Sequence, residues 1–368
     1  MKKIKFMLIL VISASLVLAA CAGQPEPEVE EPAPEEAVEE EVAEEVVEDS
    51  EAEEEPVKVL FMTEDPIGIN PYFTSALDGL EMADAEFNIE YTIIEGTGDP
   101  AQNDENVRAV LREDYDLLIL MTFGFNDILT EVAPEYPDTP IVCIDCAAEA
   151  DNVLNVDFQS YEAAFLNGVA AGLLTEKNII GHVGAIDMPF VHRWIDPYTV
   201  GVQYVNPDVT VLEPLYVGDW ADPATAKELA QTLFDQGADV INGVAAGSNV
   251  GIYEAAEEFG FLTHGIDVNE CPLAPGHIIE SNIKRVDLAV YRSIADFIAG
   301  EQIGGWVAYG VADGGVDLAN FAWPDDDTQC VLADNPEALA KVAEMRQMII
   351  DGAIVIPDPL YGGDYVLP

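Results

Sequence analysis

The chain has 368 residues, 49% of them hydrophobic, and carries 70 Asp and Glu against 14 Lys and Arg, a formal net charge of −56. So negative a field repels nucleic-acid phosphates and anionic lipid surfaces, which excludes both as partners. The length suffices for two domains with ample cores, and no apolar run approaches the ~20 residues of a bilayer span.

In chain order, Lys2, Lys3 and Lys5 precede an apolar run from Phe6 to Leu18 that ends in Leu18-Ala19-Ala20-Cys21. A basic start, an apolar run of about 7–15 residues and small residues before a cleavage point describe a secretory signal peptide over residues 1–20. The cysteine directly after Leu-Ala-Ala resembles a bacterial lipobox, which implies that Cys21 carries lipid. The alternative is an ordinary signal peptide with an incidental cysteine. The expected location is extracytoplasmic, held to the cell membrane by that lipid.

Residues 21–56 then read as an acidic, disordered tether. From Ala22 to Pro56 the composition is dominated by Glu, Pro, Val and Ala, with 17 acids and no base. Such a segment buries too little surface to fold and extends by self-repulsion. Setting that tract and the three N-terminal lysines aside leaves 53 acids against 11 bases in the body, a net of about −42.

From Lys58 onward, short apolar strands alternate with amphipathic helices. Strands are expected at 58–62, 89–94, 116–121, 139–144, 179–183, 209–216, 239–243, 262–266, 277–282 and 306–311. Helices are expected at 72–87, 103–112, from about 127, and at 161–174, 194–205, 223–236, 249–259, 286–299 and 336–350. Continuous apolar strands separated by helices indicate parallel sheet built of βαβ units. There are too many strands for one ordinary sheet. The expected fold is therefore α/β, with two doubly wound, Rossmann-like lobes and a hinge. The first lobe takes 57–157 and 278–303, the second 158–277 and 304–368, with crossings near Phe158, His277 and Trp306.

Five cysteines occur, Cys21, Cys143, Cys146, Cys271 and Cys330. With Cys21 taken by lipid, four remain in an oxidising compartment and allow one or two disulfides. Cys271–Cys330 is the favoured pair. The Cys143-Ile144-Asp145-Cys146 spacing matches a redox motif, but it ends a strand rather than opening a helix, so a structural role is expected.

Ligands of open α/β sheets bind beyond the carboxyl ends of the strands. Residues just past those ends are Asp65, Asn70 and Tyr72; Thr122 and Phe123; Asp145; Asp219 and Trp220; Ala246 and Gly247; Asp267; and Lys284. Their aromatic faces suit a planar ring and their carboxylates suit paired hydroxyls. Individually, Tyr72 or Trp220 can be packing, Asp145 or Asp267 can cap a helix, and Lys284 can be a surface charge.

Ordered blocks through the body resemble the basic membrane protein family, lipoproteins that serve as purine-nucleoside receptors of ABC importers. They are Asp65 with Pro71–Gly79, Ile144-Asp145, Phe158–Ala171, Asp219–Pro223, Val244–Gly247, Gly265–Asp267 and Ser281–Arg285. The resemblance spans about Val57 to Pro357 and implies a type I periplasmic-binding-protein-like fold. It places a base between Tyr72 and Trp220, a ribose on Asp267 and Lys284, and Asp65 and Asp145 on the base side. The chain departs from the family pattern in Phe73 after Tyr72, in the loop from Asp65 to Pro71, and in Trp220 where a smaller aromatic is usual.

The expected function is delivery of a purine nucleoside or similar planar solute to ABC permease and ATPase subunits by hinge closure, as a monomer without cofactor. Alternatives are a sensor lipoprotein, or a receptor for a free purine base, riboflavin or a sugar. No enzyme signature is present. Gly247-Ser248-Asn249 is not a nucleophile elbow, and His182, His192, His264 and His277 have no ligand-like spacing. Asp325-Asp326-Asp327 lacks a calcium-loop pattern, so no metal site is expected.

Overall fold

A computed structural model describes residues 55–368 except 69 and 302. The signal segment, Cys21 and nearly all of the tether lie outside the described residues. Among the described residues, no helix is long and apolar enough to cross a membrane.

The chain order is β1 (Val57–Thr63), α1 (Pro71–Glu86), β2 (Ile89–Ile94), α2 (Pro100–Val110), β3 (Leu117–Met121), α3 (Asn126–Val132), β4 (Ile141–Ile144) and β5 (Val153–Phe158). It continues with α4 (Ser160–Leu174), β6 (Ile179–Gly184), α5 (Pro189–Val205), β7 (Thr210–Val211), β8 (Leu215–Tyr216), α6 (Pro223–Asp235), β9 (Val240–Val244), α7 (Asn249–Phe259), β10 (Leu262–Asp267) and β11 (Ile278–Lys284). Then follow α8 (Val286–Ile298), β12 (Gly305–Tyr309), β13 (Val316–Leu318), α9 (Ala319–Ala322) and α10 (Pro336–Ile350).

Two sheets result, one per lobe. The first runs β12-β5-β4-β3-β1-β2 and is parallel throughout. Strand alternation divides its core: Val59 and Phe61 face α1 and α8, whereas Leu60 and Met62 face α2 and α3. The second runs β13-β11-β10-β9-β6-β7, with β8 also on β6 and only β13 antiparallel. It is covered by α4 and α5 on one face and by α6 and α7 on the other. Apolar residues on both faces of each sheet explain why the strands read as unbroken runs.

Local signals set the helix starts. Asn70 accepts from the Tyr72 N–H at 3.1 Å, Asp99 from Ala101 at 3.0 Å and Asp222 from Thr225 at 3.0 Å. Prolines at first-turn positions open α1, α2, α5, α6 and α10.

Several boundaries differ from the sequence expectations. β11 pairs with β10 and β13, so residues 278–284 belong to the second sheet, and the chain returns to the first lobe only after Lys284. β12 pairs with β5, which moves the last crossing from Trp306 to Gly310. The first crossing follows β5, after Phe158. At these junctions the Gln159 N–H donates to the Tyr309 carbonyl at 2.8 Å and the Val311 N–H to Glu162 at 2.9 Å. The stretch 209–216 is two short strands, divided around Pro214, which has no ladder N–H.

β5 escaped the sequence reading because Asn155 and Asp157 interrupt its apolar pattern. Both are buried and fully engaged. Asn155 exchanges hydrogen bonds with the Ala148 backbone, and Asp157 takes a bidentate pair from Arg193 of α5 at 2.8 Å. Arg193 also reaches Asp358 in the C-terminal segment at 2.8 Å, so one buried guanidinium ties the two lobes and the tail together. Both internal disulfides form, Cys271–Cys330 as favoured and Cys143–Cys146 as well.

Candidate functional site: a cleft between the lobes

The carboxyl ends of both sheets point into one cavity of about 280 Å³. The first lobe contributes Glu64, Asp65, Asn70, Tyr72, Phe73, Thr122, Phe123 and Asp145 to its wall. The second contributes Ile186, Met188, Phe190, Val191, Trp194, Trp220, Val244, Ala246, Ile266, Asp267 and Lys284. Ten of the twelve residues singled out from sequence are therefore gathered here. Asp219 and Gly247 stand just outside the wall. The Asp219 carboxylate accepts from the Ala221 N–H at 2.8 Å, and Gly247 lies against the Trp220 carbonyl.

The backbone is unusual at the strand ends. Among the described residues, six non-glycine residues have left-handed φ, and four of them line this cavity: Thr122 at 95°, Asp145 at 56°, Ala246 at 47° and Asp267 at 66°. They follow or end β3, β4, β9 and β10. Such conformations cost about 1–3 kcal/mol each for residues with a Cβ and cluster where a side chain must be aimed. Here they turn two carboxylates and a hydroxyl into the cleft.

Charge inside the cleft is mostly negative. Lys284, at the end of β11, is only 3% exposed and donates to Asp145 Oδ2 from the opposite lobe. Its ammonium lies 4.8 Å from the centre of the Tyr72 ring, 4.9 Å from Phe158 and 5.5 Å from Phe190. That is an aromatic box in which a desolvated cation is held by ring faces as well as by its counter-ion. Asp145 Oδ1 is buried without a hydrogen-bond partner. Asp267 accepts no hydrogen bond among the described residues. Burial pushes its carboxyl up from 3.8 to about 6; the Lys284 charge pulls the other way, and the Asp145 charge adds to the rise. Asp65 is raised by burial and then by the nearby Asp219 charge. Burial first, then the Asp145 charge, holds the Tyr72 hydroxyl well above its ordinary range, so Tyr72 is a neutral ring.

Several wall residues were not anticipated. Glu64 accepts from the Thr122 hydroxyl, and Gly124 leaves the room its carboxylate occupies: a Cβ there would lie 2.1 Å from Glu64 Oε1. Ile186 and Met188 come from the loop after β6, and Phe190 and Trp194 from the start of α5. The rule that collected residues past strand ends would have found the first three had it been applied after β6. Pro189 marks the true helix start, five residues ahead of Trp194. Phe190 meets Phe123 across the cleft mouth with ring centres 5.9 Å apart.

The family described as "ABC transporter substrate-binding protein PnrA-like" matches residues 56–358, almost the whole described body. The chain belongs to this family. A CD4+ T-cell-stimulating antigen of Listeria monocytogenes is 28% identical over 69% of this chain and 73% of its own length. A purine-binding protein of Brucella abortus is 26% identical over 70% of this chain and 73% of its own. Among solved structures, an ABC transporter solute-binding protein from Aeropyrum pernix is 27% identical, with a TM-score of 0.73 over 83% of this chain and 94% of that one. The chain is thus a solute-binding protein of the ABC-transporter class, with two parallel-sheet lobes of the type I fold and no enzymatic role. Proteins of this class bind small molecules and work with transporter components.

Proposed function

We propose that this is a lipid-anchored, extracytoplasmic receptor that captures a purine nucleoside between its lobes and presents it to an ABC importer. The observation that carries the reading is one cavity with aromatic rings from both lobes and carboxylates at its floor, one of them bearing a buried, unpartnered oxygen. Tyr72 from the first lobe and Trp220 from the second stack on the base, each face worth about 1–3 kcal/mol. Asp267 and Lys284 take the ribose hydroxyls. An ammonium has three donors, and Asp145 occupies one of them here. Asp145 Oδ1 and Asp65 accept from the base edge. The purine-binding relative supports the ligand class.

The topology supports closure as the capture step. Three crossings join the lobes, and a ligand that touches both walls favours the shut form by its differential contacts alone. Lys284–Asp145, Arg193–Asp157 and Phe123–Phe190 are the inter-lobe contacts that closure preserves or remakes. The lipid on Cys21 and the acidic tether keep the body off the membrane surface. A thermal-shift screen against purine nucleosides, free bases, riboflavin and sugars tests this reading, since a ligand of the folded state raises Tm. The largest rise belongs to nucleosides; a rise confined to sugars or riboflavin rejects it.

A further inference from the structure

We infer that the Cys143–Cys146 disulfide is a positioning element of the binding site, so that solute affinity depends on the redox state of this one bond. The bond closes a four-residue ring whose inner members are Ile144 and Asp145. Those two residues organise the first-lobe wall. The Ile144 carbonyl accepts from the Thr122 N–H at 2.8 Å and is reached by the Tyr72 hydroxyl at 3.5 Å. The Asp145 N–H donates to the Val156 carbonyl at 2.7 Å, and its carboxylate holds Lys284 of the other lobe. Cys146 Sγ itself rests 3.1 Å from the Thr122 carbonyl. One covalent ring therefore bears on Tyr72, Thr122, Asp145 and Lys284, all of which line the cleft.

The ring also answers a conformational need. Asp145 has a left-handed φ of 56°, which a residue with a Cβ adopts only when its surroundings enforce it. Clamping the residues on either side of the Ile144-Asp145 pair removes the extended alternatives available to an open chain. Holding the wall in its bound shape before the ligand arrives lowers the entropic cost of binding. The second disulfide, Cys271–Cys330, joins residues 59 apart in sequence instead of closing a tight ring around one wall residue, and serves as the internal control.

Reduction needs an external dithiol. Its thiolate attacks a sulfur of the pair, the S–S bond breaks, and the resulting mixed disulfide is resolved by the second thiol. The dithiol becomes a disulfide, while Cys143 and Cys146 gain two electrons and two protons as thiols. Cys143 is fully buried and Cys146 only 4% exposed, both in the first lobe's own core beside Leu120 and Phe125, so exchange proceeds through local opening of that lobe.

The test compares the full chain, oxidised, with the dithiol-reduced chain and with a Cys143→Ala/Cys146→Ala variant. Because the binding arm uses inosine it rests on the nucleoside reading; amide exchange supplies an arm that does not. Loss of the ring weakens inosine binding about tenfold or more, by the usual penalty for unordered binding groups. It also speeds exchange of the Thr122 and Asp145 amides, while amides at the centres of β9 and β10 keep their rates. The variant is insensitive to dithiol, and a Cys271→Ala/Cys330→Ala variant stays sensitive. Equal inosine affinity with and without the ring overturns the inference. If inosine fails to bind the oxidised wild type, the nucleoside reading falls and exchange decides: faster Thr122 and Asp145 amides uphold the positioning role, unchanged rates end it.

Discussion

Replacing Asp267 with Asn separates the cost of building the site from its use. The carboxylate ends β10 at 7% exposure, with a left-handed φ, beside Lys284 and Asp145. Burial is the main cause that lifts its pKa from 3.8 to about 6. An acid whose folded-state pKa is raised binds its proton more tightly when folded. The associated stability is present below 3.8, drains away as pH climbs through about 6, and is gone at pH 8. A rise of about two pKa units corresponds to about 3 kcal/mol at 1.36 kcal/mol per unit. Asn cannot ionise, so Asp267→Asn is spared this loss. Urea unfolding of both proteins from pH 4 to pH 8 is the assay. Constant terms such as altered packing cancel when the stability difference is followed against pH. The variant should gain on the wild type by about 2.4 kcal/mol across that range, mostly between pH 4 and 6. A difference that stays flat, or grows only above pH 7, refutes the assignment of a strained, desolvated carboxylate. The same substitution should weaken nucleosides more than free bases, which marks the group as kept for binding at the expense of stability.

Other expectations follow from the same geometry. Trp220→Ala should weaken inosine by about 1–3 kcal/mol in calorimetry, a loss of stacking size, and an unchanged affinity removes Trp220 from the site. Inosine 5′-monophosphate should bind about a hundredfold or more weakly than inosine, because Glu64, Asp65, Asp145 and Asp267 face a single lysine already paired. Comparable affinities would mean that the phosphate finds a cation not yet assigned. Arg193→Met leaves Asp157 and Asp358 without their buried partner and should cost about 3–5 kcal/mol in urea unfolding. A loss below 1 kcal/mol would show that the inter-lobe triad is dispensable.

Much of this architecture was legible because parallel strands covered on both faces write themselves as short apolar runs, as in 58–62 and 116–121. What failed to show was polar or punctual. β5 was hidden by Asn155 and Asp157, which are buried only because Ala148 and Arg193 satisfy them. The lobe membership of β11 depends on its pairing with β10 and β13, a long-range fact that no local pattern carries. A topological rule for residues beyond strand ends picked out Tyr72, Asp145, Trp220 and Asp267, and all four line the cavity. Their conformations were not recoverable. Left-handed Thr122 and Asp145 break local propensity, and such breaks are imposed by tertiary contacts. Nor did the sequence announce that Lys284, taken alone a surface charge, is enclosed by three rings and a carboxylate.

The most direct measurement is a calorimetric titration of the oxidised full chain with inosine, with adenosine and guanosine as competitors. The account predicts saturable binding at one site per chain, competition among the three, and a large loss in Trp220→Ala. Absence of heat and of competition for every purine nucleoside, while a sugar or riboflavin saturates the cleft, would contradict it.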